Sequence, residues 1–206
     1  MIYNTLKAEM VPWLADSYAW SDDYLSVTFT LHPGIKWSDG EDFTSEDVVF
    51  TFNLIKNTPG LQGSGATAMG GPVDSVSAPD AGTVVFTLKA VNTEAIYDIV
   101  NQDIVPEHIW KNVADKVTET NLKPVGTGPF TEVVTMEDQV YQVDRNPLYW
   151  QPGQPYVKSL RMAAFSGNDA AAETVFAGIE NGALPRGYVT QGTAETHADC
   201  AFVLRM

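Results

Sequence analysis

The sequence predicts an α+β fold with mainly antiparallel strands, and two local patterns carry this prediction. Apolar and hydroxyl side chains alternate along Leu25–Leu31, which is the period of a half-buried β-strand. Apolar side chains then recur at helical spacing within Val48–Ile55. Thr44 precedes them as a helix N-cap, so we expect an amphipathic helix from Thr44 to about Lys56.

The other predicted elements are shorter. Glycine and proline clusters fill residues 57–72, where we expect no regular element. Pro106 is predicted at the first position of a helix, because proline suits that position. We further predict a hairpin of Val73–Val76 and Thr83–Leu88, helices at Glu94–Val100 and Asp169–Gly178, and strands at Thr131–Thr135, Gln139–Val143 and Val157–Phe165.

The charge balance argues against two classes of partner. The 206 residues contain 12 Lys+Arg against 26 Asp+Glu, which gives a formal net charge of −14. Such a surface repels phosphate backbones and anionic lipid headgroups, so we expect no nucleic-acid partner. No apolar run approaches the roughly 20 residues that a membrane span requires, so we expect no direct membrane insertion.

The sequence offers no pattern for a metal or a cofactor. Cys200 is the single cysteine, which excludes an internal disulfide and a Cys-x-x-Cys metal site. His32, His108 and His197 lie far apart in the sequence, and none belongs to a pair with ligand spacing. We therefore predict neither a metal nor a cofactor.

An acidic hydrolase is the enzyme hypothesis that the sequence allows, with the carboxylate pair Glu41/Asp42 or Asp22/Asp23 as its catalytic groups. Adjacent carboxylates in turns are usually solvated, and no motif supplies a nucleophile with a paired base.

The loop Gly126–Pro129 lacks the Gly-Lys-Ser/Thr ending of a phosphate-binding loop. Trp37 lies in a turn between a strand and a helix, where we expect a structural role. We therefore predict that the chain is not an enzyme.

Several stretches in a fixed order together resemble one family. They are Val11–Tyr18, Gly34–Gly40 (Gly-Ile-Lys-Trp-Ser-Asp-Gly), Phe43–Phe52, Pro124–Phe130 (Pro-Val-Gly-Thr-Gly-Pro-Phe), Arg145–Trp150 (Arg-Asn-Pro-Leu-Tyr-Trp) and Ser166–Ala171. Their order and spacing resemble the family 5 extracytoplasmic solute-binding proteins of ABC importers, the peptide-, nickel- and oligosaccharide-binding type. The resemblance covers roughly residues 10–178.

The resemblance implies a periplasmic-binding-protein type II like fold, of which this chain would be a fragment. Members of the family are longer and have three lobes, with the ligand held between two of them. We expect residues 1–150 to form the accessory lobe, built on a mixed or antiparallel sheet. Residues 151–178 would begin the return to the first ligand-binding lobe. Residues 179–206 would be an irregular tail of out-of-frame or foreign sequence, and Met1 would be an internal methionine.

The same resemblance implies solute capture for ABC-transporter import. The implied partners are the permease subunits of the importer and a small solute, and we expect a monomer. The sequence looks closest to the cello- and chito-oligosaccharide branch, with oligopeptide or dipeptide as the alternative. A periplasmic or extracytoplasmic location would need a signal sequence outside this fragment, because none follows Met1.

The candidate ligand-binding residues are Ser166, Gly167, Asn168 and Asp169. They join a predicted strand to a predicted helix N-terminus, where exposed backbone amides and a short amide side chain can meet a polar solute. Asn168 or Asp169 could equally cap that helix without touching a ligand. A third alternative for the whole chain is a structural fragment that binds nothing, because one lobe offers only part of a cleft.

Overall fold

The computed structural model describes residues 1–137, 140–163, 187–188 and 203–204. The chain divides into two compact units. The first consists of Met1–Val133 and Val143–Leu160, and the second of Val134–Gln142 and Arg161–Met206. The domain boundaries expected at residues 150 and 178 stay a prediction.

The first unit is an antiparallel sheet covered by helices. A four-stranded sheet has the order β3-β4-β6-β5, and β1 pairs with β2 in a separate antiparallel hairpin. The elements are β1 (Ile2–Asn4), β2 (Glu9–Val11), β3 (Ala15–Trp20), β4 (Ser26–Leu31), α1 (Ser45–Asn57), α2 (Ser64–Gly70), β5 (Val73–Asp80), β6 (Thr83–Leu88), α3 (Ala95–Val100) and α4 (Glu107–Trp110).

Strand β4 lies inside the sheet, as the alternating pattern predicted. Its apolar residues Val27, Phe29 and Leu31 are buried. Val27 lies opposite Phe86 of β6 in the antiparallel register, which places two apolar side chains across from each other. Leu25 precedes the strand and is exposed, so the predicted strand was one residue too long at its beginning.

Helix α1 packs on this sheet through its apolar side. Val48 and Phe52 are buried, and the Phe52 ring meets the Phe86 ring edge-on with centroids 4.8 Å apart. The Thr44 cap is confirmed, because its hydroxyl accepts a hydrogen bond from the Glu46 backbone N–H at 3.3 Å. The predicted helix is therefore confirmed to within one residue of its end.

Two expectations were wrong. Residues 57–72 contain helix α2, whose Ala68 and Met69 are buried in the core, so tertiary burial outweighs the low helix propensity of its glycines. Pro106 is the N-cap of α4 and not its first residue. Both differences concern short helices, in which packing decides the bounds more than propensity does.

The remaining strands are β7 (Phe130–Glu137), β8 (Val140–Arg145), β9 (Ser159–Ala163), β10 (Gly187–Tyr188) and β11 (Val203–Leu204). Strands β7, β8 and β9 form a sheet in that order, and β10 pairs with β11 in parallel. The strands predicted near residues 131, 140 and 160 are thus confirmed. The helix predicted at Asp169–Gly178 lies outside the described residues. No helix in the described ranges is both long and apolar enough to span a bilayer.

Candidate functional site: an apolar cavity in the first unit

The first unit contains a cavity of about 380 Å³ between the sheet, α1, α3 and the loop at residues 126–128. Aromatic and aliphatic side chains form most of its wall, among them Trp13, Phe29, Phe52, Phe86 and Ile99. The last four are buried core residues. The cavity is thus a half-open recess whose inner wall belongs to the hydrophobic core, and its volume falls in the lower range of ligand pockets.

The side chain of Gln102, which lies beside the cavity, is bonded to other parts of the chain. Gln102 accepts a hydrogen bond from the Gly65 N–H at 2.8 Å through Oε1. Its Nε2 donates to the Asp103 carbonyl at 2.7 Å. Met1 is also a wall residue, and burial lowers the pKa of its amino group from 8.0 to about 6, an effect that Asp16 partly offsets.

The glycine loop that borders the cavity is held by backbone and side-chain bonds. Ser38 donates its N–H to the Gly126 carbonyl at 3.0 Å and accepts the Gly126 N–H on Oγ at 3.3 Å. Asn146 donates from Nδ2 to the Gly128 carbonyl at 3.0 Å. These bonds give the loop a structural role, in agreement with the sequence argument against a phosphate cradle.

A buried carboxylate, Asp47, links helix α1 to the segment before it and to α4. Asp47 is 5% exposed and accepts three hydrogen bonds. Its Oδ2 accepts from the Trp37 indole at 3.2 Å and the Thr44 N–H at 3.0 Å, and its Oδ1 accepts from the Glu107 N–H at 2.9 Å. Trp37 is itself 1% exposed, which confirms its predicted structural role. Asp47 thus joins the turn, the helix cap and the start of α4.

An aromatic cluster lies beside the cavity and ends at its wall residue Trp13. The Trp13 and Trp150 rings meet edge-on with centroids 5.6 Å apart, and the His32 ring lies 4.9 Å from Trp150. His32 is paired through Nδ1 with Asp16 at 2.7 Å. Tyr149 also contacts Trp150, and burial raises its pKa. Tyr149 and Trp150 thus pack with other aromatic rings of the first unit.

Of the carboxylate pairs of the enzyme hypothesis, Asp22 and Asp23 lie in a turn, whereas Asp42 forms an isolated β-bridge with Lys36. Asp23 accepts hydrogen bonds from the Ser21 hydroxyl at 2.7 Å and the Leu25 N–H at 3.0 Å. These two bonds lower the pKa of Asp23. A lowered pKa makes this carboxyl group less suited to act as a proton donor. Asp42 pairs with Lys36, and both side chains are largely exposed. These contacts account for the positions of Asp23 and Asp42.

Within the described residues there is no group of three or more His, Cys, Asp or Glu side chains that could hold a metal ion. His32 and His108 each face one carboxylate, Asp16 and Asp39 respectively, at 2.7 Å. His197 and Cys200 lie outside the described residues.

The candidate ligand residues Ser166, Gly167, Asn168 and Asp169 also lie outside the described residues. The structure brings together a different set, the aromatic wall of the cavity. The sequence patterns placed Phe29 in a strand and Phe52 in a helix, and included Phe86 only within the predicted hairpin strand Thr83–Leu88. A cavity among core side chains has no separate sequence signal, because its lining has the same residue types as a filled core.

The comparisons with known proteins agree with this architecture. Residues 9–179 match the family of bacterial extracellular solute-binding proteins, family 5 middle region, and the chain belongs to this family. A protein of Brucella ovis, named for peptide binding in an ABC transporter, is 33% identical over 98% of this chain. The chain spans 38% of that relative's length.

Two solved structures show the same fold. The AppA protein of Clostridium difficile, named for peptide binding, has a TM-score of 0.81 at 26% identity, over 95% of this chain and 40% of its own. An oligopeptide-binding protein of an ABC transporter from Thermotoga maritima, solved with bound mannohexaose, has a TM-score of 0.75 at 26% identity, over 85% of this chain and 33% of its own. The α+β fold of periplasmic-binding-protein type II character, present as a fragment, is therefore confirmed.

Proposed function

We propose that these 206 residues are part of an extracytoplasmic solute-binding protein that captures oligopeptides for an ABC importer. The family match over residues 9–179 carries the proposal, since this family consists of extracellular solute-binding proteins. The complete gene product that contains these residues is called the parent protein below. Its partners would be the importer's permease subunits, and capture would involve no covalent chemistry.

The peptide class is favoured by the names of the Brucella ovis and Clostridium difficile proteins, which refer to peptide binding. An oligosaccharide is the second candidate, because the Thermotoga maritima protein is named for oligopeptides and yet holds mannohexaose in its structure. The sequence argument had put oligosaccharide first and peptide second. The relatives' names reverse that order.

The proposed contact segment is residues 166–169, where Asn168 would meet the solute and Asp169 would cap the following helix. Its support is the residue pattern alone. Substitution of Asn168 by alanine in the parent separates contact from capping, because loss of a contact weakens binding whereas loss of a cap lowers the melting temperature. Asp169→Ala is the matched control, for which we expect the opposite combination of effects.

Calorimetry tests the function with the parent and with the 206-residue chain. Short peptides, cello-, chito- and manno-oligosaccharides are titrated into each protein. We expect the parent to bind peptide with a Kd of about 1 μM or lower. The 206-residue chain is expected to bind at least 100-fold more weakly, because one lobe offers part of the contacts at the full entropic cost of immobilising the solute.

Three results would contradict parts of this proposal. Micromolar binding by the 206-residue chain would place a complete cleft within these residues. Tight binding of an oligosaccharide and not of any peptide by the parent would favour the second candidate. Release of hydrolysed products from either solute would favour an acidic hydrolase and remove the binding-protein proposal.

A further inference from the structure

The two edges of the four-stranded sheet differ in how they are protected from pairing with another chain. One edge is β5, which contains Pro79 and has shifts of register near both of its ends. Proline and irregular register are two of the features by which natural sheets block an edge. The other edge is β3, whose stretch Ser17–Trp20 contains neither proline nor lysine and follows the register shift of that strand. Among the described residues β3 pairs with β4 alone, so its outer side is open to a further strand.

The backbone of this edge presents hydrogen-bonding groups outward. Ser21 donates its N–H to the Ser26 carbonyl at 3.0 Å, which shows that the Ser21 N–H faces β4. Residues along an antiparallel strand face the partner strand alternately, so Tyr18 and Trp20, an odd number of positions earlier, face away from β4. Each of the two carries one N–H and one C=O, which gives the edge two donors and two acceptors for an added strand.

Aromatic side chains accompany these backbone groups. Tyr18 is 38% exposed, and the centroid of its ring lies 6.1 Å from that of the buried Phe29. The Trp20 side chain packs partly against the core, and its ring centroid lies 6.2 Å from that of Tyr24, which is 49% exposed. Side chains that face each other on neighbouring strands stabilise a sheet, above all where one is aromatic. Tyr18 and Trp20 therefore favour large apolar side chains in an added strand.

The charges around the edge indicate the sign of its partner. Asp16 lies immediately before Ser17–Trp20, Asp22 and Asp23 lie shortly after it, and all three aspartates are exposed. His32 pairs with Asp16, whereas the chain as a whole has a formal net charge of −14. Opposite charges speed the encounter of two partners and fix their register, so a partner strand with Lys or Arg at both ends suits this edge.

We propose that the β3 edge binds an extended cationic peptide segment, which adds to this sheet as a fifth strand. The segment would carry Lys or Arg at its first and seventh positions and large apolar side chains at its third and fifth, opposite Trp20 and Tyr18 in antiparallel register. Added strands are recognised by such backbone bonds together with alternate side-chain contacts. A second copy of the chain is a less suitable partner, because two copies would each bring a formal charge of −14. This site is separate from solute capture and does not depend on it.

The peptide Lys-Thr-Phe-Thr-Val-Thr-Lys, with blocked ends and a neutral fluorophore, tests the proposal by fluorescence anisotropy. We expect the parent protein and the 206-residue chain to bind it at least about 10-fold more tightly than Glu-Thr-Phe-Thr-Val-Thr-Glu. N-methylation of the third and fifth residues removes the N–H groups that face β3, and we expect it to weaken binding at least about 10-fold. N-methylation of the fourth and sixth residues, whose N–H groups face away from β3, is the matched control and should leave binding unchanged.

Variants of the edge locate the binding. Tyr18→Pro removes an N–H that faces away from β4, which an edge strand tolerates, and should weaken binding of the Lys peptide at least about 10-fold. Tyr18→Lys keeps the backbone and repels the same peptide, so it replaces Tyr18→Pro if circular dichroism shows that the latter does not fold. Tyr97→Lys in α3, at a similar exposure of 42%, is the control for Tyr18→Lys. Asp22→Asn should weaken binding about two- to five-fold, whereas Asp74→Asn on β5 should not.

Four results would overturn the proposal. Equal affinity for the Lys and Glu peptides would show that the charges at this edge select no partner. Binding that Tyr18→Lys leaves unchanged would place the peptide elsewhere, as in a solute cleft. Failure of the parent protein to bind the Lys peptide would show that the edge is not a docking site in the whole protein. Dimerisation that Tyr18→Lys abolishes would assign the edge to a second copy. A parent protein that captures no solute would leave all of these measurements intact.

Discussion

The variant Asp47→Asn tests how the buried carboxylate holds the first unit together. Asp47 accepts hydrogen bonds from Trp37, Thr44 and Glu107 within 3.2 Å. Asparagine keeps one acceptor oxygen and replaces the other with an amide nitrogen that can only donate. In the better orientation its oxygen keeps the Trp37 and Thr44 bonds, and the Glu107 N–H then faces another donor.

The expected loss of stability follows from that single unpaired donor. A buried donor left without an acceptor costs about 1–3 kcal/mol. For a chain of this size a change of 1 kcal/mol shifts the melting temperature by roughly 2–4 °C, so we expect Asp47→Asn to lower it by about 2–12 °C. Urea unfolding followed by far-UV circular dichroism measures the free energy of unfolding directly.

The matched control is Glu46→Gln, which removes the same charge from the same first turn of α1. Glu46 is exposed, so its loss affects mainly the interaction with the helix dipole, worth about 0.3–1 kcal/mol. Equal destabilisation by the two variants would show that charge at the helix end matters and the three hydrogen bonds do not, which would refute the reasoning.

Two further predictions concern Trp37, which donates a hydrogen bond to Asp47, and the amino group of Met1. Trp37→Ala is expected to cost about 3–5 kcal/mol in urea unfolding, since the side chain is 1% exposed, whereas Tyr156→Ala, at 85% exposure, should change stability by less than about 0.5 kcal/mol. Equal effects would show that Trp37 is not core. The Met1 amine binds its proton less tightly when folded, with a pKa of about 6 against 8.0, so the free energy of unfolding should rise from pH 6 to pH 8. Acetylation of this amine should remove that part of the rise, and an unchanged pH profile after acetylation would contradict its burial.

The elements that the sequence predicted well are those whose pattern is local. Strand β4 and helix α1 each show a clear hydrophobic period and a recognisable boundary, as in the Thr44 cap. The hairpin of β5 and β6 was also visible, because a turn sequence separates two apolar runs.

The elements that the sequence missed depend on contacts between distant residues. Helix α2 contains glycines that disfavour a helix, and it is held by burial of Ala68 and by the bond between Gly65 and Gln102. Strand β3 at Ala15–Trp20 lacks apolar alternation and forms by pairing with β4 at the edge of the sheet. The bond from Glu107 to Asp47 spans 60 residues, and the cavity likewise results from tertiary packing.

The position of Asp47 connects the stability of this unit to the function that we propose. A binding protein that closes around its solute moves lobes as bodies, and this requires that each lobe keep its own shape. Asp47 ties the Trp37 turn, the Thr44 cap and the start of α4 at Glu107, three segments that local structure alone would not hold together. A buried carboxylate with three donors is well suited to this role, because its bonds have directions that apolar packing lacks. The fixed geometry that solute capture needs can thus come from a residue, Asp47, that is buried away from the surface.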